Sequence, residues 1–202
     1  KAVVGIHDFE SGSIRICGHS IQEDPLLCKS VLAYIPDNPD LYEHLTGYQY
    51  IGFIADLFRV SGADRAEKTK KYGDMFEMTD RLGNLIASYS HGMKQRTAIA
   101  RALAYEPDFI MMDEPFAALD YFTREQMQKE LLRVQKVKHS NILFVTHSID
   151  EALILGDRIV VIEKGLVKKV YPVETPAEER NLLNDGFISL KRDIINNLNF
   201  MN

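Results

Sequence analysis

The chain has 202 residues, 46% hydrophobic and 26% charged, with 24 basic against 29 acidic side chains and a formal net charge of −5. That balance fits an ordinary globular protein and gives no electrostatic case for nucleic acid, because no basic stripe stands out. Cys17 and Cys28 lack metal-ligand spacing and no apolar run reaches the length of a membrane helix, so free thiols in a reducing, cytoplasmic setting are expected.

Residues 1–6 read as the closing turn of a helix, with Gly5 at its C-terminal cap. Residues 13–17 alternate like a strand. Residues 30–35 read as a second strand, cut off by Pro36-Asp37-Asn38-Pro39, a run that forbids regular structure. Asp37 therefore sits in a loop at a strand's carboxyl end, where open parallel sheets keep their ligands; the plain alternative is an exposed loop acid. Thr46 and Gln49 have the spacing of a capping box. The helix they open carries Tyr50, Ile51, Ile54, Ala55, Leu57 and Phe58 as its apolar stripe. Residues 64–78 read as a second, more polar helix. Aromatics in this helical lobe are expected in its core, with Leu41, Tyr42 and Phe58 also available to a partner.

Ser90, His91 and Gly92 then precede a helix through Leu103. Backbone N–H groups at a helix start, together with a serine hydroxyl, suit an anion such as phosphate. A serine that merely caps its helix is the plain alternative. Residues 109–112 are a short apolar run, as in a strand buried on both faces, and they lead straight into Asp113, Glu114 and Pro115. Asp113 is suited to hold Mg²⁺ and Glu114 to take a proton from an attacking water; a strand ending in a solvated acidic turn is the alternative. Residues 121–138 read as a helix with Met127, Leu131, Leu132 and Val134 inward. Residues 141–146 read as another buried strand, and His147 follows at once. Ser148 and Glu151 space a further capping box for a helix ending at Gly156. Residues 158–162 and 166–170 read as a hairpin, and the polar tail holds one amphipathic stretch over 187–198. Strand ends thus offer Asp37, Asp113 with Glu114, and His147, and a helix start offers Ser90 to Gly92. These are the parts that phosphoryl transfer needs.

At this point the chain resembles the ATP-binding subunit of ABC transporters, over nearly its whole length. Tyr89-Ser90-His91-Gly92-Met93 is similar to the family signature, residues 109–114 to Walker B with the catalytic glutamate, Ala118-Leu119-Asp120 to the D-loop, and His147 to the switch histidine. The resemblance implies an α/β fold: a P-loop NTPase-like, mostly parallel sheet core with an inserted helical lobe. It implies ATP and Mg²⁺ as cofactors. It also implies a head-to-tail dimer with a second ATPase subunit, and transmembrane transporter subunits docked near the helical lobe at the inner face of the membrane. Glu114 and His147 would be catalytic. Ser90, His91, Gly92 and Asp120 would bind nucleotide, with Asp120 crossing the dimer interface. Asp113 and Asp37 would hold the metal. The implied organisation is an ATPase core over 1–38, a helical subdomain over 39–104, a second core segment over 105–172 and a tail over 173–202.

The chain also departs from the family pattern. The Walker A pattern Gly-x-x-x-x-Gly-Lys-[Ser/Thr] does not occur in residues 1–202, nor does the strand that leads into it. The expectation is a chain recorded without its first segment, with weak ATP affinity, negligible hydrolysis by itself and exposed sheet neighbours. A non-hydrolytic fragment, hybrid or docking module of the same fold is the alternative. Asp37 stands where the family has glutamine, His91 where it has glycine and Met93 where it has glutamine. Residues 1–103 resemble exporter-type ATPases, and those from 107 onward resemble ATPases of nitrate, sulfonate and taurine importers. A hybrid is therefore one reading, and a single relative matching both halves equally would exclude it.

Overall fold

The computed structural model describes residues 1–138 and 140–198. They fall into two units, Lys1–Val145 and Thr146–Asn202. In the first, a short 3-10 turn at Ala2–Val4 closes on Gly5, whose left-handed φ of 67° lets its N–H reach the Ala2 carbonyl. The strand expected over 13–17 shrinks to β1 (Arg15–Ile16), paired antiparallel with β2 (His19–Ser20). Next comes a helix that sequence reading missed, α1 (Pro25–Val31), with Pro25 in its first turn and Cys28 buried. It takes Ser30 and Val31 out of the expected strand, leaving β3 as Leu32–Ile35. Proline is pre-set for a helix's first position, so Pro25 starts a helix where its ring costs nothing.

β3, β4 (Phe109–Asp113) and β5 (Asn141–Val145) form a parallel sheet in the order β3-β4-β5. Tyr34 pairs with Met111, Ile35 with Met112, and Asp113 with Val145, so the carboxyl ends of the strands lie along one edge. One sheet face packs Leu32 and Met111 against Val4, Ile16, Ile21 and Cys28. On the other face Ile35, Ile110 and Met112 are fully buried. β4 is buried through its middle, as its apolar run predicts. β5 is not the doubly buried strand expected. It pairs with β4 alone among the described residues, and Leu143 and Val145 stay 40% and 39% exposed. A strand lacking a neighbour on one edge cannot bury both faces as a central strand does.

The helical lobe holds α2 (Gly47–Leu57) and α3 (Gly62–Met75). Thr46 and Gln49 make the full reciprocal capping box. Tyr50, Ile51 and Ala55 are buried, but Leu57 is 64% exposed, because it lies two residues, about 200° of helical turn, beyond Ala55. Leu41 is buried in the core, whereas Tyr42 is exposed and Phe58 stacks on Tyr105 at 4.9 Å. α3 starts two residues earlier than expected, because Ser61 accepts from the Asp64 N–H as its cap. α4 (His91–Ala104) and α5 (Tyr121–Lys138) follow the expected spans, with Met127, Leu131 and Val134 buried on α5.

In the second unit, α6 (Ile149–Leu155) leads to a hairpin of β6 (Arg158–Glu163) and β7 (Leu166–Pro172). Lys164 and Gly165 both take positive φ at its tip, the signature of a two-residue turn that matches strand twist. α7 (Asp185–Leu198) lays Phe187 and Ile194 on Leu153, Ile159, Val161 and Tyr171. The guanidinium of Arg180 ties this unit together, donating to the Thr175 and Ile154 carbonyls and to Asp157.

Candidate nucleotide site

β4 delivers the two acids. Asp113 ends the strand, half-buried, and its Oδ2 accepts from the Tyr34 hydroxyl at 3.4 Å. Burial and the neighbouring Asp113 charge push the Tyr34 hydroxyl's pKa up, so it stays a donor. Glu114 follows in left-handed backbone, φ 47°, while its N–H still donates to the Val145 carbonyl at 2.9 Å. Positive φ is costly for a residue with a side chain, on the order of 1–2 kcal/mol, and such strain gathers at working sites. The chain therefore turns off the sheet edge at Glu114. Asp37 stands exposed two residues beyond β3, at the same edge of the neighbouring strand.

A helix start comes from the lobe. Ser90 caps α4, its hydroxyl accepting from the Met93 N–H at 3.2 Å, with His91 exposed and Gly92 half-buried. A methyl placed on Gly92 would meet Leu119 Cδ2 at 3.1 Å, so the α4 start lies directly against the loop carrying Asp120. Asp120 caps α5 through the Thr123 N–H, and hydrogen bonding by Thr123 holds its carboxyl below the usual range. His147 belongs to the second unit. It is exposed between Thr146 and Ser148, two residues past the end of β5. There the expected capping box is half made. Ser148 accepts from the Glu151 N–H, but the Glu151 carboxylate takes the Thr146 hydroxyl at 2.6 Å instead of returning to the backbone of Ser148.

The first unit thus brings Asp37, Asp113 and Glu114 to one sheet edge, and Gly92 against Leu119. Among the described residues no three potential ligands cluster to hold a metal ion. One or two carboxylates, completed by water and phosphate oxygens, is the donor set that Mg²⁺ accepts, and Asp113 and Asp37 are carboxylates of that kind rather than parts of an all-protein cage. An open cleft of about 840 Å³ between α2 and α3, lined by Tyr48, Phe53, Arg65 and Lys70, includes none of these residues. Sequence reading missed the residues that support the site. Tyr34 lay inside an apolar run, and Gln95 and Arg101 lie on α4 beside Lys94 and Arg96, so nothing in the sequence singled them out.

A parallel sheet with acids at its carboxyl edge, and a helical lobe that leads into the Ser90-capped start of α4, give the architecture of an α/β protein with a ligand edge. The family model for ABC transporters matches residues 1–117, and the chain belongs to that family. It is 36% identical over 175 residues to the choline transport ATP-binding protein OpuBA of Bacillus subtilis, a match covering 84% of the chain and 45% of the relative. It is 34% identical over 202 residues to the spermidine/putrescine import ATP-binding protein PotA of Bacteroides thetaiotaomicron, covering 100% of the chain and 42% of the relative. The chain therefore spans less than half the length of these relatives. In structure it is similar to the ATP-binding cassette MJ0796, solved as a dimer in a post-hydrolysis state with ADP and Pi, with a TM-score of 0.73, 25% identity and coverage of 82% of this chain and 75% of that one. Among the described residues no helix is long and apolar enough to cross a membrane.

Proposed function

We propose that the chain is the ATP-binding and ATP-hydrolysing part of an ABC transporter and energises passage of a substrate across a membrane. The observation that carries this reading is the pair Asp113–Glu114 at the carboxyl end of β4, with Glu114 turned out of the strand in left-handed backbone. Glu114 polarises the water that attacks the γ-phosphate, and His147 steadies the transferred group. Ser90 and the backbone N–H groups of His91 and Gly92 bind the phosphates of an ATP held mainly by the Walker A loop of a second ATPase subunit. Mg²⁺, held by Asp113 and Asp37, would neutralise charge on those phosphates. Asp120 faces the second ATPase subunit from its place at the start of α5. Support for a dimer and for nucleotide comes from MJ0796, whose structure is a dimer with ADP and Pi. Transmembrane subunits dock near the helical lobe, with the ATPase peripheral at the inner face.

The test is turnover of MgATP by the protein with a Walker A segment in place, beside its Glu114→Gln variant. Loss of a general base removes about 10²- to 10⁴-fold, so the variant should fall at least a hundredfold while still binding ATP. Equal turnover in both would remove Glu114 from the mechanism. Failure of both to bind ATP at millimolar concentration would leave a docking module of the same fold.

A further inference from the structure

Gln95 is 1% exposed on α4, and its Nε2 donates to the Pro36 carbonyl at 3.2 Å. Six residues on, Arg101 donates from Nη2 to the Tyr34 carbonyl at 3.1 Å and from Nη1 to the Tyr50 hydroxyl at 3.0 Å. The two carbonyls belong to alternate residues of an extended segment and so face the same edge. The helix that begins at Ser90 therefore grips the backbone at the end of β3 at two points, and the chain enters the Asp37 loop immediately after the second. Tyr50 adds α2 to the same knot, with the Arg101 guanidinium 5.8 Å from its ring centre. The Tyr34 hydroxyl meanwhile reaches Asp113.

We infer that Gln95 and Arg101 are positioning residues that set the Asp37 loop and the Ser90 turn from one rigid helix. The inference rests on the reading of Asp37 and Ser90–Gly92 as parts of one nucleotide site. Neither residue touches the reacting atoms. Each fixes a main-chain carbonyl, and the loop with two prolines has few backbone N–H groups of its own to hold it. Buried amide and guanidinium groups are costly on an otherwise apolar helix face, so their bonds to these carbonyls decide where that face sits.

The test is hydrogen exchange over residues 35–41 combined with MgATP kinetics, in the Gln95→Leu and Arg101→Lys variants. Thr97→Val serves as the control, because Thr97 is equally buried but donates only to the Met93 carbonyl of its own helix. Loss of one net hydrogen bond raises exchange in the 35–41 segment about tenfold in Gln95→Leu, and raises KM for MgATP by a similar factor with kcat changed less than about twofold. Arg101→Lys shows the same split to a smaller degree, because an ammonium can replace only one of two bonds. Thr97→Val lowers the melting temperature without either change. Exchange over 35–41 that stays at the wild-type rate in Gln95→Leu, or rises equally in Thr97→Val, would overturn the inference. Absence of MgATP turnover in the protein with a Walker A segment in place would overturn the nucleotide reading instead, and the exchange measurement alone would then decide whether the clamp exists.

Discussion

Replacing Gly47 by alanine tests how the lobe sets the start of α4. A Cβ there would lie 2.5 Å from the Tyr89 hydroxyl, 2.8 Å from Leu82 Cδ2 and 3.0 Å from Leu82 Cα. Leu82 is fully buried and part of the obstruction is backbone, so the neighbours cannot simply swing aside. Tyr89 is held by its hydroxyl's bond to the Arg81 carbonyl at 2.7 Å and immediately precedes Ser90. Overpacking costs about 1–3 kcal/mol. Breaking the Tyr89 bond costs about 1 kcal/mol more. Against these stands a helix-propensity gain of at most about 1 kcal/mol. The net is a destabilisation of about 1–3 kcal/mol, or a fall in Tm of roughly 2–4 °C per kcal/mol for a chain of this size. Urea and thermal unfolding measure it, with an unchanged urea slope as the sign that only stability moved. Gly186→Ala on α7 is the counterpart, since nothing lies within 4 Å of the added methyl. That variant should hold or gain stability, by up to about 1 kcal/mol. Gly47→Ala melting at or above the wild type would refute the packing account of this corner.

His147→Ala should lower kcat for MgATP by about 10²-fold or more while leaving the melting temperature near that of the wild type, because the side chain is exposed; steady-state kinetics with a melt decide it. Met127 is fully buried, so Met127→Ala should cost about 2–5 kcal/mol in urea unfolding. Asp120 has a folded pKa held below its unfolded value, so its contribution is present above the ordinary carboxylate pKa of about 4 and is lost as pH falls through the lower folded value. Asp120→Asn keeps a capping side chain without that charge and should flatten the acid limb of the stability-pH curve, measured by thermal melts from neutral to acid pH. Arg180→Leu removes three bonds that hold residues 154, 157 and 175, and should speed exchange across the second unit before the first.

The acidic end of β4 and the helix starts were legible because their signals are local. An apolar run ending in Asp113 and Glu114 specifies a buried strand with acids at its end, and Ser90 or Thr46 placed before a periodic stretch specifies a helix start. What escaped depends on neighbours distant in the chain. The β5 run is as apolar as β4, yet its exposure is set by whether a strand lies on each edge, which its own residues do not encode. α1 was hidden because residues 25–31 are too short for a clear helical period. Gln95 and Arg101 read as ordinary helix formers, and their role appears only once β3 is seen to end beside them. Leu57 shows the reverse error: an apolar residue adjacent in sequence to a stripe but rotated out of it.

The central claim is that this chain works as one half of a nucleotide sandwich, with Glu114 as the group that commits ATP to hydrolysis. Sedimentation equilibrium of the Glu114→Gln variant of the protein with a Walker A segment in place, with and without MgATP, tests it most directly. The account predicts a one-chain mass without nucleotide, and a two-chain mass with MgATP that persists because turnover is blocked. A one-chain mass at every ATP concentration, with no nucleotide carried in the sedimenting species, would contradict it.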